Sequence, residues 1–313
     1  MRPRSFTSVE NAMKPPSLSK LFQLRFNVLL FKLLPPSISY GYLLCLGKLY
    51  YLVNRKERTE IYRNVEEVFY HQRSPREIKK IAQEVFKGIF NHYFEKLFLA
   101  YHDFDKLKDF LLERVQVEGM GNIQQGLRQG RGVILATGHF GGVEFLPGTL
   151  ALRDCKLSIM VRCQTASLKR ALQERADRAS LSIIDCDEGN LFYSALDCLR
   201  RNEVLITECD EVDEWITAEG KTIGLFGHGI VLDRGLDMLQ RKSRAQVLTV
   251  FVRRLRRDRY VIQINKVDDF AEARGAVCTG TKLLRILERF VYLHPEQWYQ
   301  WKKFQKMKWA PAY

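Results

Sequence analysis

The alternation of short β-branched runs with helical stretches from residue 113 onward constrains the fold more than any other feature of the chain. Each candidate strand except 247–252 is followed by a stretch with helical apolar spacing. The predicted strands are 115–118, 132–137, 157–162, 182–185, 204–208, 247–252 and 260–264. The predicted helices are 121–129, 142–152, 166–178, 190–201, 231–243 and 276–293. This pattern predicts an α/β fold, a mixed sheet with helices on both faces.

Residues 18–53 are the most lipophilic part of the chain. A membrane-spanning helix needs about 20 nearly uncharged apolar residues, but lysines and arginines interrupt the first half here and Pro35-Pro36 breaks the middle. We therefore predict two helices, about 17–34 and 38–53. Arg25 and Lys32 form a narrow basic stripe on a broad apolar surface, which is typical of a helix lying in a membrane interface.

These patterns divide the chain in two. Residues 1–53 form a segment of amphipathic, membrane-associated helices, and residues 54–313 form the main domain. Within that domain, periodic apolar positions predict a helical part over about 54–112, with Ser74-Pro75 and Glu77 as a helix start. The α/β core then covers about 113–313.

The net charge and the cysteine pattern indicate which kinds of partner and site the protein can have. The formal net charge of +14 favours an anionic partner, such as nucleic acid, an anionic membrane, a phosphorylated substrate or an acidic carrier protein. A basic run at 253–259 fits a nucleic-acid surface, but no known nucleic-acid module is recognised, so we expect no nucleic-acid partner. The seven scattered cysteines contain no C-x-x-C pair, which argues against a disulfide framework and a zinc site.

The loop after the predicted strand 132–137 carries the candidate chemistry. Active sites of α/β sheets gather at the carboxyl ends of the strands, and this loop holds His139 and Glu144 within a glycine-rich turn. Glu144 is expected to accept a hydrogen bond from one imidazole nitrogen, which leaves the other free to take a proton from a hydroxyl. Backbone N–H groups at the following helix N-terminus are expected to stabilise an oxyanion. No metal is required.

Three segments resemble one family, the bacterial lipid A biosynthesis late acyltransferases of the lysophospholipid-acyltransferase-like superfamily. They are Val117-Glu118-Gly119 with residues 126–144, Tyr62-Arg63-Asn64-Val65, and the segment 294–304, which begins His294-Pro295-Glu296-Gln297-Trp298. Their order and spacing hold from about residue 45 to 305. The third segment matches the family's C-terminal signature. For Trp298 in this segment we favour a role in the protein core.

The resemblance implies a membrane-associated O-acyltransferase at the cytoplasmic face of the bacterial inner membrane, without a cofactor. The donor is a fatty acyl thioester, on acyl carrier protein or alternatively coenzyme A, and the acceptor is a hydroxyl of a glycolipid such as a lipid A precursor. Anionic membrane lipids are further partners. His139 is then the general base and Glu144 its orienting partner.

The resemblance also suggests substrate-binding residues. Arg162 matches an arginine that the family places near the site, and Glu208 and Asp210 stand where the family often has acidic residues. Gly141 and Gly142, in the turn, complete the predicted substrate-binding set. The stretch 224–227 echoes a family loop near the cavity.

Departures from the family pattern keep alternatives open. Gly142 and Val143 replace the usual Asn and Trp between the His and the Glu. The acceptor is therefore open, and another phospholipid or glycolipid is the alternative. A non-catalytic membrane-binding or carrier-binding paralogue is the second alternative.

Overall fold

A computed structural model of the chain describes residues 18–163, 165–179, 181–211, 216–256, 258–275 and 278–308. The helices are α1 (Leu18–Phe22), α2 (Arg25–Leu33), α3 (Pro36–Val53), α4 (Arg55–Phe69), α5 (Pro75–Tyr101), α6 (Phe104–Arg114), α7 (Met120–Leu127), α8 (Leu146–Ala151), α9 (Ala166–Arg178), α10 (Leu191–Arg200), α11 (Gly235–Ser243), α12 (Thr279–Leu293) and α13 (Phe304–Met307). The strands are β1 (Val115–Glu118), β2 (Val133–Thr137), β3 (Leu157–Val161), β4 (Leu181–Asp185), β5 (Val204–Glu208), β6 (Thr217–Leu225), β7 (His228–Asp233), β8 (Gln246–Arg256) and β9 (Arg259–Lys266). Short 3-10 helices lie at Val143–Phe145, Pro295–Gln297 and Gln300–Lys303, among others.

The predicted mixed α/β sheet is confirmed. Seven strands of the described chain form one sheet in the order β1-β9-β8-β2-β5-β3-β4. All neighbouring pairs are parallel except β8 and β9, which form an antiparallel hairpin. The central strand β2 is buried at every position, as expected for a parallel strand covered by helices on both faces.

A hairpin that the sequence analysis missed lies between β5 and α11. Strands β6 and β7 pair antiparallel around Phe226 and Gly227, which both have positive φ, at 52° and 76°. Positive φ at both central residues is typical of a tight type I′ hairpin turn. The phenyl ring of Phe226 packs against Trp298 and Trp301. This stretch therefore builds an aromatic core instead of a cavity loop.

Helix α5 is the scaffold on which the helical part assembles. Its start at Ser74 has the predicted capping box, in which the Ser74 hydroxyl accepts from the Glu77 N–H and the Glu77 carboxylate accepts from the Ser74 N–H. The helix runs for 27 residues. On one side Tyr93 packs against Phe22 and Phe94 packs against Phe31, so α5 carries the N-terminal helices.

The N-terminal segment differs from the prediction in one respect. The single helix expected over 17–34 is broken into α1 and α2, because the Asn27 side chain bonds the Leu21 carbonyl at 2.7 Å and caps the end of α1. Arg25 and Lys32 are exposed, as are large apolar side chains of this region. More than half exposed are Leu24, Phe26, Leu29, Leu33, Ile38, Leu49, Leu52 and Val53, which we call the N-terminal apolar face. No helix in the described ranges has both the length and the apolarity needed to cross a membrane.

Candidate active site

His139 lies just beyond the carboxyl end of β2, beside the end of the neighbouring strand β5. The parallel register pairs Thr137 with Glu208, and the Cys209 N–H extends the ladder by donating to the Thr137 carbonyl at 2.7 Å. His139 is the second residue past the end of β2, and Asp210 is the second residue past the end of β5. The register therefore places His139 and Asp210 side by side.

The imidazole of His139 contacts three carboxylates. Its Nδ1 lies 2.8 Å from Asp210 Oδ1, and its Nε2 lies 3.0 Å from Glu208 Oε2 and 3.4 Å from Glu211 Oε2. Asp210 is fully buried, and it also accepts hydrogen bonds from the His139 backbone N–H at 3.0 Å and from the Trp298 indole N–H at 2.7 Å. One carboxylate thus fixes both the ring and the loop that carries it.

These carboxylates set the charge of the ring. Burial lowers the pKa of His139 because it removes a cation from water, but Glu208 and then Asp210 outweigh this effect and raise the pKa to about 10. Burial raises the pKa of Asp210, while the charge of His139 and the three hydrogen bonds lower it to below its ordinary value. In this arrangement the ring is an imidazolium with a proton on each nitrogen.

Glu144 faces the same region but contacts other side chains. It lies in the 3-10 helix that precedes α8, and its Oε1 is 3.4 Å from Lys96 Nζ and 3.5 Å from His92 Nε2. The His92 ring stacks on Tyr299, whose edge meets the ring of His139. No hydrogen bond or ion pair joins Glu144 to His139 within the described ranges. The carboxylate on Nδ1 is that of Asp210, where the motif spacing had predicted Glu144.

Gly141 and Gly142, which were predicted to bind substrate, instead allow the loop to lie close against the sheet. Gly141 has a φ of +60°, and a Cβ there would lie 1.7 Å from the Val252 carbonyl oxygen. A Cβ on Gly142 would lie 2.5 Å from the ring of Tyr260. Both glycines are buried against β8 and β9, and neither is among the residues that line the cavity described below. Their role here is close backbone approach.

The backbone N–H groups of this loop are already engaged. His139 donates to Asp210, Phe140 donates to the Gly138 carbonyl at 2.7 Å, Gly141 to the Gln297 carbonyl at 2.8 Å and Gly142 to the Val252 carbonyl at 3.0 Å. Helix α8, which follows, has only six residues. Residues 139–142 therefore offer no free N–H to an oxyanion, and the expected oxyanion site at the start of the following helix stays a prediction.

A buried ion pair between Arg254 and Glu95 supports the loop that carries His139. The Arg254 guanidinium donates to both carboxylate oxygens of Glu95, at 2.7 and 3.0 Å, and to the Gly141 carbonyl at 3.1 Å. The Tyr260 hydroxyl donates to the same carboxylate at 2.9 Å. Arg254 belongs to the basic run 253–259 considered as a nucleic-acid surface. Because its side chain is buried in this ion pair, it is not available to a polyanion.

The polar cluster opens into a cavity of about 370 Å³. At one end lie His139, Glu144, Glu208 and Glu211. The rest is walled largely by apolar side chains from several elements, among them Leu107, Leu111, Pro147, Ile159, Leu181 and Ile183. Arg162 also borders the cavity, but its exposed guanidinium donates to Asp187 at 2.9 Å. The arrangement suits a molecule with a long apolar tail and a polar reacting end.

Three of these residues have the donors of a metal site. His139, Glu208 and Glu211 each offer one ligand atom, and these atoms lie within 4.8 Å of one another. An ion at Nε2 would have to displace the proton that Glu208 stabilises there. The prediction that no metal is required therefore stays a prediction, and chelation tests it.

Several residues of the site were not predicted from the sequence. They are His92, Lys96, Glu211 and Tyr299, together with the hydrogen bond of Trp298 to Asp210. A signal for two of them is present, because His92 and Lys96 are polar residues four apart in α5 and so share one helix face. Glu211 directly follows the candidate Asp210, and Tyr299 lies within the segment 294–304, but neither carries a pattern of its own.

Comparisons with known proteins agree with the resemblance. The family model described as bacterial lipid A biosynthesis acyltransferase matches residues 17–306, nearly the whole chain. A search of curated proteins gave no match.

Proposed function

The chain belongs to the bacterial lipid A biosynthesis acyltransferase family, and from this premise we propose that it moves a fatty acyl chain from an acyl thioester to a hydroxyl of a glycolipid such as a lipid A precursor. One observation carries the proposal. His139, held by Asp210, stands where a polar cluster meets an apolar cavity. An acyl chain fits the apolar part, since each buried methylene contributes about 0.8 kcal/mol, and its thioester carbonyl then lies beside the imidazole.

In the proposed reaction His139 Nε2 takes the proton of the acceptor hydroxyl while the oxygen attacks the thioester carbonyl. A tetrahedral oxyanion forms, its collapse breaks the carbon–sulfur bond, and the imidazolium returns the proton to the leaving thiolate. Asp210 holds the Nδ1 proton throughout and stabilises the imidazolium. No covalent acyl-enzyme is needed.

Glu208 has to leave Nε2 before the ring can act as a base. The imidazolium described above cannot accept a proton, and Glu208 is the carboxylate closest to the reacting nitrogen. We propose that the acceptor hydroxyl takes the place of Glu208, which is then positioned to bind another polar group of the acceptor headgroup. Loss of this contact lowers the pKa of the ring, so acceptor binding itself generates the base.

The partners follow from the same proposal. The donor is an acyl group on acyl carrier protein, with acyl coenzyme A as the alternative, and no cofactor takes part. The protein works at the cytoplasmic face of the inner membrane, where the N-terminal apolar face, with Arg25 and Lys32 beside it, contacts anionic lipids. Arg162, at the rim of the cavity, is placed to bind a phosphate of donor or acceptor.

The test is acyl transfer by the purified protein. Acyl carrier protein loaded with a radiolabelled fatty acyl group is incubated with a lipid A precursor or, separately, a glycerophospholipid. We expect transfer to the glycolipid, its loss in His139→Ala, and unchanged rates with a chelator. Hydrolysis or transfer at equal background rates in wild type and His139→Ala would refute the enzyme assignment. Transfer only to the phospholipid would change the acceptor.

A pair of variants separates the two candidate orienting carboxylates. Asp210→Asn places an amide among three N–H donors and should lower kcat by about 10³-fold or more, as loss of the orienting carboxylate does in related dyads. Glu144→Gln leaves the Asp210 contact intact and should keep more activity. A greater loss of kcat in Glu144→Gln than in Asp210→Asn would restore Glu144 as the partner of His139.

A further inference from the structure

The cavity needs a group that stabilises negative charge. When a hydroxyl attacks a thioester, the carbonyl oxygen becomes an oxyanion, and enzymes place N–H donors or cations at that position. The backbone N–H groups of residues 139–142 donate to protein acceptors. These four N–H groups are therefore not available to an oxyanion, and the cations of the cavity wall are the other candidates.

Lys96 is a cationic residue of the cavity wall. It projects from α5 into the cavity, where its side chain is 24% exposed and its Nζ is 3.4 Å from Glu144 Oε1. Glu208, which touches His139 Nε2 at 3.0 Å, also attracts it. Lys96, Glu208 and His139 all line this cavity. Burial lowers the pKa of Lys96, but Glu144 and Glu208 outweigh this and raise it, so the side chain stays an ammonium.

The other cations of the polar end have different neighbours. The Arg162 guanidinium lies at the exposed rim and bonds Asp187, and Lys302 interacts chiefly with Tyr93. Lys303 bonds Glu211, whose other carboxylate oxygen lies 3.4 Å from His139 Nε2. His92 stays neutral, because burial and then the charge of Lys96 hold its pKa well below the ordinary value. Of these groups, Lys96 is the cation that the carboxylate of the His-x-x-x-x-Glu motif, Glu144, holds at the cavity wall.

We propose that Lys96 is a catalytic residue whose ammonium donates to the thioester oxyanion, and that Glu144 is a positioning residue that holds this ammonium at the cavity wall. The assignment rests on the proposed acyl transfer. In this assignment the Glu144 carboxylate of the His-x-x-x-x-Glu motif positions the Lys96 ammonium, with which it forms an ion pair, instead of the His139 imidazole. When the hydroxyl oxygen adds to the carbonyl carbon, the π electrons move to the carbonyl oxygen beside Lys96, and they return when the carbon–sulfur bond breaks.

The experiment compares Lys96→Met, Lys96→Gln and Lys96→Arg with wild type in acyl transfer, with kcat and KM determined for both substrates. Removing one donor from an oxyanion site costs about 10²–10³-fold in kcat. We expect that loss in both neutral variants, KM within about threefold, and recovery of a large share of kcat in Lys96→Arg. The matched control is Lys87→Met, an exposed lysine of the same helix that pairs with Glu84; it should keep wild-type kcat. Thermal unfolding shows whether each variant is folded.

Each result decides the assignment. A rise in KM with unchanged kcat would make Lys96 a binding site for a substrate charge and overturn the proposal, as would wild-type kcat in Lys96→Gln. If neither neutral variant folds, Glu144→Gln is decisive. A loss of kcat at constant KM that is smaller than the loss in Asp210→Asn supports the proposal, whereas an unchanged kcat, or a loss greater than that in Asp210→Asn, overturns it. These outcomes differ from failure of the proposed function, in which wild type and His139→Ala show the same background rate.

Discussion

At the scale of single residues, the charge of His139 is the quantity on which the chemistry depends. Two carboxylates at hydrogen-bond distance hold a proton on each ring nitrogen, although a general base must be neutral at Nε2. Asp210 is buried and fixed by three donors, whereas Glu208 is partly exposed at the strand end. The movable partner is therefore Glu208.

Substitution Glu208→Gln tests this view of the ring. The Glu208 charge stabilises the imidazolium and raises the pKa of His139, so its removal should lower that pKa from about 10 toward the ordinary value of 6.5. NMR titration of labelled histidines measures the shift directly, and the acidic limb of kcat/KM should move to lower pH. Glu203→Gln, far from the ring on the loop before β5 and paired with Arg201, is the control. An unmoved titration in Glu208→Gln would show that Glu208 does not govern the ring.

At the scale of elements, the sequence predicted the structures that depend on residues close together in the chain. It missed those that depend on contacts between distant residues. The strand and helix series from β1 to α12 follows local periodicity and was confirmed apart from the β6–β7 hairpin. That hairpin lacks apolar alternation, and its turn has a non-glycine residue, Phe226, at positive φ. Tertiary packing of Phe226 on Trp298 and Trp301 holds it there, so no local signal was present.

The same limit applies to the site. His139 was predicted from its place after a buried strand, and Asp210 was among the candidates. Their contact depends on the β2–β5 register, which joins residues 71 apart in sequence. The motif spacing favoured the nearer carboxylate, Glu144, because sequence shows separation along the chain but not strand order. The cavity-facing side of α5 could be recognised only after its partner strands were known.

The buried pair of Glu95 on α5 and Arg254 on β8 gives a prediction at this scale. Glu95→Ala leaves a buried guanidinium without its carboxylate, which should cost about 3–5 kcal/mol in the free energy of unfolding. It should also lower kcat, because Arg254 holds the Gly141 carbonyl of the catalytic loop. Urea denaturation and acyl-transfer kinetics measure the two effects. The double variant Glu95→Leu/Arg254→Met should recover most of the stability, and a single-variant loss below about 1 kcal/mol would show that the pair is not needed.

At the scale of the whole molecule, one helix connects the reaction to the surface that we propose meets the membrane. Tyr93 of α5 borders the cavity and packs against Phe22 of α1, while Phe94 packs against Phe31 of α2. The outward sides of α2 and α3 carry the N-terminal apolar face. Helix α5 therefore joins the cavity wall to the helices that carry the N-terminal apolar face.

Charges placed on that face should separate membrane binding from chemistry. Burying a large apolar side chain contributes about 1.5–3 kcal/mol, so Phe26→Asp/Leu33→Asp should weaken binding to anionic phospholipid vesicles by at least about 100-fold. Vesicle sedimentation measures this binding. Transfer to an acceptor embedded in vesicles should fall in parallel, whereas transfer to a detergent-dispersed acceptor should keep its wild-type kcat, because neither residue lines the cavity. The double variant Leu255→Asp/Leu293→Asp, two exposed leucines on other surfaces, is the matched control. Equal binding by both double variants would place the membrane contact elsewhere on the molecule.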